Sequence, residues 1–290
     1  MSVLLKKEHP LAGQFAVLFT AILWSSSGLF VKLLEWHPVV IASTRSYIAV
    51  FFLLIIRFIY PPPSGTKNAP IPLWIGALAH ASSMICFVIA NRITTAANAI
   101  MLQYSAPIWG AFLAWWLIKE RPRWEHWGAL VLIFGGMLLF FRGSFGSGAI
   151  LGDLLAVVSG ISFGLYSVLL RKIKDSNPGD LMLLGHAVCA FFGIPFIILH
   201  PPSLGLFSVS IILYMGIIQI GLATVLFVYG MKRVRAIQAM LIATIEPILN
   251  PLWVFIIIGE RPSLTALIGG AIIIATVLAS STIGWRRENL

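Results

Sequence analysis

The sequence predicts an all-α integral membrane protein with ten transmembrane helices, arranged as two inverted five-helix repeats. Composition is the first observation behind this prediction. Hydrophobic residues make up 59% of the chain, charged residues 10%, and the mean hydropathy is +0.95, whereas a soluble domain carries roughly 25% charged residues. The other two observations are a succession of long apolar segments and a stretch of the first half that recurs in the second. Water is therefore not the main solvent of this chain.

The recurring stretch is residues 96–122, which match residues 236–262 at a constant shift of 140. The identical pairs are Ala96/Ala236, Ala99/Ala239, Pro107/Pro247, Ile108/Ile248, Ile118/Ile258, Glu120/Glu260, Arg121/Arg261 and Pro122/Pro262. A proline thus interrupts each copy in mid-segment, a pattern typical of transporters that bind their substrate between two membrane repeats. We place the first repeat at residues 1–148 and the second at residues 149–290, together forming one integral domain.

Ten apolar segments are long enough to cross a bilayer core, which requires about 20 helical residues. Charges, prolines and glycine-rich turns delimit them, and consecutive prolines at 61–63 and 201–202 are the clearest breaks. The segments run at about 14–34, 38–59, 71–91, 95–118, 124–142, 149–171, 178–199, 208–231, 235–258 and 262–284.

The distribution of Lys and Arg predicts the orientation, since cytoplasmic loops retain positive charge. With the N-terminus inside, the inner set is Lys6, Lys7, Arg57, Lys67, Lys119, Arg121, Arg123, Arg171, Lys172, Lys174, Lys232, Arg233, Arg235, Arg286 and Arg287. The outer set is Lys32, Arg92, Arg142 and Arg261. Both termini are therefore predicted to be cytoplasmic. Topology and attraction to anionic lipid account for the net charge of +10, so we expect no nucleic-acid partner.

Five segments per repeat is an odd number, so the second repeat is predicted to lie upside down relative to the first. The first apolar run follows Lys6 and Lys7, but it is long enough to span and belongs to the repeat, so we interpret it as a helix rather than a cleaved signal peptide. Cys86 and Cys189 fall in apolar runs of opposite halves, and nothing in their spacing predicts a disulfide.

This combination resembles the drug/metabolite transporter superfamily, EamA type, over nearly the whole chain. The residues that carry the resemblance are Trp24 with the polar run after it, 38–45, 96–107, and the repeated Glu-Arg-Pro at 120–122 and 260–262. The resemblance implies a carrier that moves amino acids, other metabolites or cationic drugs out of the bacterial cytoplasm. Within the superfamily the chain is most similar to YddG-like amino-acid exporters. It lacks the Trp that aromatic-amino-acid exporters can place just before Pro107.

Two charged residues lie inside predicted spans, where charge is costly. Glu246 immediately precedes Pro247. It is a candidate for proton coupling or for binding a substrate amine; alternatively, a neutral carboxyl there bonds to carbonyls freed by the proline. The first repeat has Ala106 at this position, so the shared fold does not need the charge. Arg45 lies about two turns into the second span, shallow enough for its head to reach the outer surface. It either has a structural role or binds a substrate carboxylate.

Polar residues on one helix face predict a cavity in the third and fourth spans. His80 and Ser83 share a stripe at helical spacing, and His80 either contacts substrate or a proton path or bonds to a neighbouring span. Gln103 and Tyr104 precede Pro107, where freed carbonyls and these side chains can meet a substrate together. We therefore predict that His80, Ser83, Gln103 and Tyr104 contribute to substrate binding.

Aromatic residues complete the predicted cavity wall. Trp24 matches Phe163 at a shift of 139, and Ser27 and Tyr166 lie one turn further along the same segments. Aromatic walls suit amino-acid side chains and hold ammonium groups by cation–π contact, although most aromatics in such a chain face lipid or the core. Gln219 lies near the repeat partner of His80 and is a further substrate-binding candidate.

The sequence predicts a secondary transporter of the bacterial inner membrane that exports small metabolites, amino acids first among them, by alternating access. Cationic drugs, sugars or nucleosides are alternative substrates, and a channel or scaffold is an alternative class. Gly135-Gly136 and Gly269-Gly270 are not followed by a lysine and hydroxyl, so no nucleotide site is expected. We also expect no cofactor and no metal. No hydrolase motif is present either. The oligomeric state stays open, and a monomer suffices for this arrangement.

Overall fold

The computed structural model describes residues 10–61, 70–94, 96–140, 142, 150–258 and 264–288. All regular structure in these residues is helical, which confirms the all-α prediction for this part of the chain. The described residues do not include the predicted repeat boundary between residues 148 and 149. They also do not include either chain end or the second Glu-Arg-Pro turn.

The helices of the first half are α1 (Pro10–Ser25), α2 (Ser27–Leu33), α3 (Pro38–Ile59), α4 (Pro70–Ile93), α5 (Ala96–Gln103), α6 (Ala106–Ile118) and α7 (Trp124–Phe140). Those of the second half are α8 (Ile150–Lys172), α9 (Pro178–Phe192), α10 (Ile194–Leu199), α11 (Leu206–Tyr214), α12 (Ala223–Arg233), α13 (Ala236–Ala243), α14 (Glu246–Ile258) and α15 (Leu264–Glu288). Met215–Leu222 forms π-helical turns that join α11 to α12. A helix or a run of consecutive helices occupies each predicted segment.

Five helical stretches of the described residues have the length and apolar composition needed to cross a membrane. They are Pro38–Ile59, Pro70–Ala90, Ile150–Lys172, Pro178–Leu199 and Leu206–Arg233. Shorter apolar stretches run from Leu11 to Ser25, Trp124 to Phe140, Ala236 to Leu249 and Leu267 to Ser280. Large apolar side chains such as Phe15, Phe51, Phe58, Trp116 and Leu206 are exposed. Many exposed large apolar side chains suit a lipid environment.

The fourth and ninth predicted segments are both broken at the same place in the repeat. The first break lies at Tyr104 and Ser105, between α5 and α6, and the second at Thr244 and Ile245, between α13 and α14. The hydroxyl of Ser105 donates to the carbonyl of Leu102, and that of Thr244 donates to the carbonyl three residues before it, each at 2.6 Å. Such bonds compete with the helix ladder and bend it.

Pro107 and Pro247 lie in the first turn after their breaks. Proline is tolerated there because its missing N–H would have no intrahelical partner, and its fixed φ suits a helix start. The two prolines therefore restart the helices rather than kink a continuous one.

Helix contacts come in equivalent pairs across the two halves. α1 packs on α12, and α4 packs on α8; under the repeat, these are the first segment on the eighth and the third on the sixth. Likewise α3 contacts α9, and α7 contacts α15, so each of these segments packs on its own counterpart. α7 and α15 approach closely at two glycines, where a Cβ on Gly136 would lie 3.0 Å from the Gly269 carbonyl oxygen. Small residues at a crossing permit this close approach of backbones.

Candidate functional site

A cavity of about 110 Å³ lies among the helices of both halves. Its walls come from α1 to α5, the break after α5, α8, α9, the π-helical turns, α12 and α14, and none of the described side chains of α7 and α15 lines it. The lining residues are Trp24, Ser27, Arg45, His80, Ser83, Met84, Phe87, Gln103, Tyr104, Phe163, Tyr166, Met182, His186, Gln219, Ile220, Thr224 and Glu246.

The cavity brings together all of the candidate residues with side chains predicted to bind substrate or carry charge. Those residues are Trp24, Ser27, Arg45, His80, Ser83, Gln103, Tyr104, Phe163, Tyr166, Gln219 and Glu246. Pro107 and Pro247 are buried and do not line it. Sequence reasoning missed the lining residues Met84, Met182, His186, Ile220 and Thr224. For His186 a signal existed, since it is an imidazole inside an apolar span, as His80 is.

Tyr104 and Glu246 join the two helix breaks. The Tyr104 hydroxyl donates to Glu246 Oε2 at 2.6 Å. Tyr104 occupies the first break, and Glu246 begins the helix that follows the second. A carboxyl in the first turn of a helix faces unsatisfied backbone N–H groups and the positive end of the macrodipole. This bond therefore connects the halves at the point where each loses its helical regularity.

Arg45 lies deeper than the sequence predicts. Arg45 is only 9% exposed, and it lines the cavity. The expectation that its guanidinium reaches the outer surface is therefore wrong. Its position two turns into α3 is covered by the neighbouring helices, which a depth estimate from one segment does not include. Nη1 donates to the Ser27 hydroxyl at 3.3 Å, and Nε is buried without a hydrogen-bond partner.

Two imidazoles meet at the cavity wall between α4 and α9. The rings of His80 and His186 pack edge to face, with centroids 4.5 Å apart, and His80 packs in the same manner on Tyr166 at 5.0 Å. His186 Nε2 shares a hydrogen bond of 3.1 Å with the Thr224 hydroxyl. Gly185 makes room for this arrangement, since a Cβ there would lie 2.6 Å from His80 Nδ1.

An amide and two serines form a polar cluster on the side of α5 and α8. Gln103 Nε2 donates to the Ser159 hydroxyl at 2.9 Å, and Ser159 donates to the Ser83 carbonyl at 2.7 Å. Gln219 lies in the π-helical turns, where its Nε2 donates to Ser26 at 3.4 Å and its Oε1 is buried without a partner. π-helical turns are frequent at functional sites because they shift the register of the side chains.

The aromatic wall is continuous. Trp24 meets Phe163 edge to face at 6.3 Å between ring centroids, and Phe163 stacks on Tyr166 at 5.2 Å. Trp24 also packs on the buried Phe227 at 5.2 Å. These rings provide a rigid apolar surface that adjoins His80 through Tyr166.

A hydrogen-bonded network ties three helix ends together near the basic residues of one face. Arg171 Nε donates to Glu120 Oε1 at 3.1 Å, while Nη1 donates to the carbonyls of Met231 and Lys232 at 3.2 and 2.7 Å. Glu120 follows α6, Arg171 lies in the last turn of α8, and the two carbonyls end α12. The network therefore links the first half to the second.

The sequence profile of the EamA-like transporter family matches residues 11–142 and, separately, residues 150–282. The chain belongs to the EamA-like transporter family. This confirms the resemblance to EamA-type members of the drug/metabolite transporter superfamily. The family assignment describes a membrane transporter of small molecules and not an enzyme.

Relatives of this EamA-like transporter are named as transporters without a stated substrate. It is 27% identical to an uncharacterized transporter of Archaeoglobus fulgidus over 273 residues, which cover 89% of this chain and 93% of that protein. It is 28% identical to the uncharacterized transporter YwfM of Bacillus subtilis, with coverage of 91% and 92%. Solute carrier family 35 member G1 of Mus musculus is 27% identical over 64% of this chain and 47% of that protein.

A protein solved by crystallography has the same fold. Its TM-score is 0.80 at 18% identity, over 96% of this chain and 99% of that one. At this identity the match supports the shared architecture of this EamA-like transporter and carries no information about substrate.

Proposed function

We propose that this EamA-like transporter is a secondary carrier that exports small metabolites, chiefly amino acids, across the bacterial inner membrane by alternating access. The observation that carries the proposal is that equivalent positions of both halves line one cavity. Trp24 and Phe163, Ser27 and Tyr166, and His80 and Gln219 are pairs at a shift of 139 residues, and all six face that cavity. A site shared by two equivalent halves can open to either side when the halves rock.

The proposed topology has ten membrane crossings, with residues 1–148 and 149–290 as inverted repeats and both termini in the cytoplasm. The equivalent helix contacts and the breaks at a shift of 140 residues support the repeat. The excess of Lys and Arg on one set of loops supports the orientation. In this orientation the Arg171 network lies at the cytoplasmic end and holds it together, and transport requires that it open.

Amino acids fit the cavity better than purely apolar or neutral molecules. The aromatic rings of Trp24, Phe163 and Tyr166 provide a surface for a side chain, and the imidazoles, amides and Glu246 provide hydrogen-bonding groups on the same cavity. This combination supports placing the protein with YddG-like amino-acid exporters. Glu246 also suits organic cations, so cationic drugs belong in the same substrate test.

Uptake into proteoliposomes tests the proposal. Purified protein is reconstituted, and saturable uptake and counterflow are measured for radiolabelled amino acids, an organic cation, a sugar and a nucleoside, with and without a pH gradient. We expect saturable amino-acid uptake with counterflow, which is lost in Tyr104→Ala and retained in Phe58→Leu, a variant on the exposed face of α3. Size-exclusion profiles establish that both variants are folded. Flux that neither saturates nor shows counterflow would indicate a channel, and folded protein that moves no amino acid would overturn the substrate assignment.

A further inference from the structure

Arg45 is a buried cation without a carboxylate partner among the described residues. The ion pairs in this part of the chain join Arg57 to Asp180, Arg123 to Glu125 and Arg171 to Glu120, and none includes Arg45. Removing a charge from water is costly, and a buried charge is normally compensated by a counter-ion or by several hydrogen bonds. One contact of 3.3 Å to a serine hydroxyl does not supply that compensation.

Hydrogen bonds within the protein use only part of the Arg45 guanidinium. Nη1 is used by Ser27, whereas Nε is buried without a partner, and the side chain lines the same cavity as the aromatic wall. A guanidinium presents its donors in a planar fork that matches the two oxygens of a carboxylate. Arg45 therefore has donors suited to a carboxylate ligand, and no carboxylate of the described residues forms an ion pair with it.

The cavity also contains a carboxyl that attracts Arg45 without forming an ion pair with it. Glu246 accepts from Tyr104 at 2.6 Å, and no Lys or Arg of the described residues lies within the 4.0 Å of an ion pair with it. One cavity thus offers a cation and a carboxyl that are not paired with each other. A zwitterion carries the complementary pair of charges.

We infer that Arg45 binds the carboxylate of the substrate and thereby restricts this transporter to carboxylate-bearing molecules. An α-amino acid lies with its carboxylate on Arg45, its ammonium toward Glu246 and its side chain against the aromatic wall. Amines that lack a carboxylate leave the guanidinium unpaired and are excluded. This inference rests on the proposed function, because it names the chemical group that the same cavity selects.

Calorimetric titration with matched ligands tests the assignment without requiring transport. Leucine has both charges, 4-methylpentanoate lacks only the ammonium, and 3-methylbutylamine lacks only the carboxylate; the phenylalanine series provides a second side chain. We expect both carboxylate compounds of at least one series to bind and the amine to bind roughly ten- to hundredfold more weakly, the range for a hydrogen bond to a charged group. Arg45→Gln should weaken carboxylate binding by a similar factor and leave the amine unchanged.

Arg57→Gln is the matched control, because it removes a positive charge from the same helix at an exposed position. It should bind every ligand as the unmodified protein does. Arg45→Lys keeps the charge without the fork and should have intermediate affinity. If Arg45→Gln does not fold, titration of the same ligand series into the unmodified protein and into Arg45→Lys tests the inference.

Equal affinity for the amine and the amino acid overturns the inference, as does unchanged leucine and phenylalanine binding in folded Arg45→Gln. Failure of every carboxylate compound to bind also overturns it. The proposed function fails separately: carboxylate binding that depends on Arg45 without any transport contradicts the carrier and supports the site. Saturable transport that does not change when Arg45 is substituted supports the carrier and contradicts the carboxylate site at Arg45.

Discussion

At the residue scale, the bond between Tyr104 and Glu246 is the most specific contact in the cavity. It joins residues 142 positions apart in the chain, and its two partners come from the two helix breaks. A buried hydrogen-bonding group that loses its partner costs about 1 to 3 kcal/mol. The contact therefore makes a measurable contribution to both stability and the shape of the site.

Tyr104→Phe and Glu246→Gln should each destabilise the folded protein by about 1 to 3 kcal/mol, because each removes or weakens the same hydrogen bond. The double variant should cost clearly less than the sum of the two single variants, since the second change has no bond left to break. Denaturant unfolding of the four proteins in one detergent measures the cycle. Strict additivity would show that the two side chains do not interact in the membrane protein.

Much of the site could be predicted from residues considered singly and by their spacing. His80 and Ser83 share one helical face, Trp24 and Phe163 occupy equivalent positions, and Tyr104 precedes a proline. His186 could not be placed by the repeat, because the equivalent position of the first half holds no imidazole. Its role depends on the packing of α9 against α4 and α12, which is a long-range contact.

At the element scale, α7 and α15 form a crossing that is separate from the cavity. A Cβ on Gly136 would lie 2.7 Å from the Ile273 side chain and 3.0 Å from the Gly269 carbonyl oxygen, whereas one on Gly135 would meet nothing within 4 Å. The two neighbouring glycines thus differ in packing: Gly136 is in close contact with α15, whereas Gly135 has open space around it.

Gly136→Leu should lower the melting temperature of the detergent-solubilised protein, because the helices cannot keep their close approach. Gly135→Leu should leave it nearly unchanged, since that position faces outward. Substrate affinity of any folded fraction should be the same in both, because neither residue lines the cavity. Equal melting temperatures for the two variants would contradict the crossing.

The end of α6 contains a second local feature, a left-handed residue. Lys119 has φ of 59° and caps the helix through a bond from its N–H to the carbonyl of Ala114. Glycine is the residue that adopts this conformation at least cost, and the repeat has Gly259 at the corresponding position.

Lys119→Gly should therefore keep or raise stability, by up to about 1 kcal/mol, while Lys119→Val should lower it, since a β-branched side chain disfavours positive φ. Thermal unfolding of the two variants beside the unmodified protein checks the order. A glycine variant less stable than the valine variant would rule out this account of the cap.

Helix positions were largely predictable because apolar length and flanking charge determine them. The predicted segment 38–59 coincides with α3, and Pro107 and Pro247 marked the breaks to within three residues. The π-helical turns were not predicted, and the contacts that their glycines make are long-range. Gly216 and Gly221 pack directly on Ile48 and Phe52 of α3, and the sequence near residue 218 contains no signal of that contact.

At the scale of the whole molecule, the Arg171 network connects the two halves at one end. Glu120 comes from the first half, and Arg171 with the Met231 and Lys232 carbonyls comes from the second. In a carrier that opens this end, the bond between Arg171 and Glu120 must break during each cycle, because it joins the two halves. This bond stabilises the closed arrangement relative to the open one.

Arg171→Gln should shift the population toward the state in which this end is open. The labelling rate of Ser83→Cys, in a background of Cys86→Ser and Cys189→Ala, should therefore rise. A partly exposed pair is worth about 1 kcal/mol or less, so the rise should be no more than about fivefold. Arg123→Gln is the control, because Arg123 and Glu125 form their 3.9 Å pair within one turn of chain. Equal labelling in the two variants would show that the network does not hold this end closed.

The two breaks are equivalent in backbone but not in chemistry, since Ala106 stands where the second half has Glu246. Two identical halves would give a carrier with the same half-saturation concentration on its two sides. Here that carboxyl belongs to one half alone, so in the proposed carrier we expect the inward-facing and outward-facing states to differ in energy and in KM. Because net flux must vanish at equal concentrations, an uncoupled carrier keeps kcat/KM equal in both directions. A ratio that becomes unequal when an ion gradient is imposed would therefore reveal coupling to that ion.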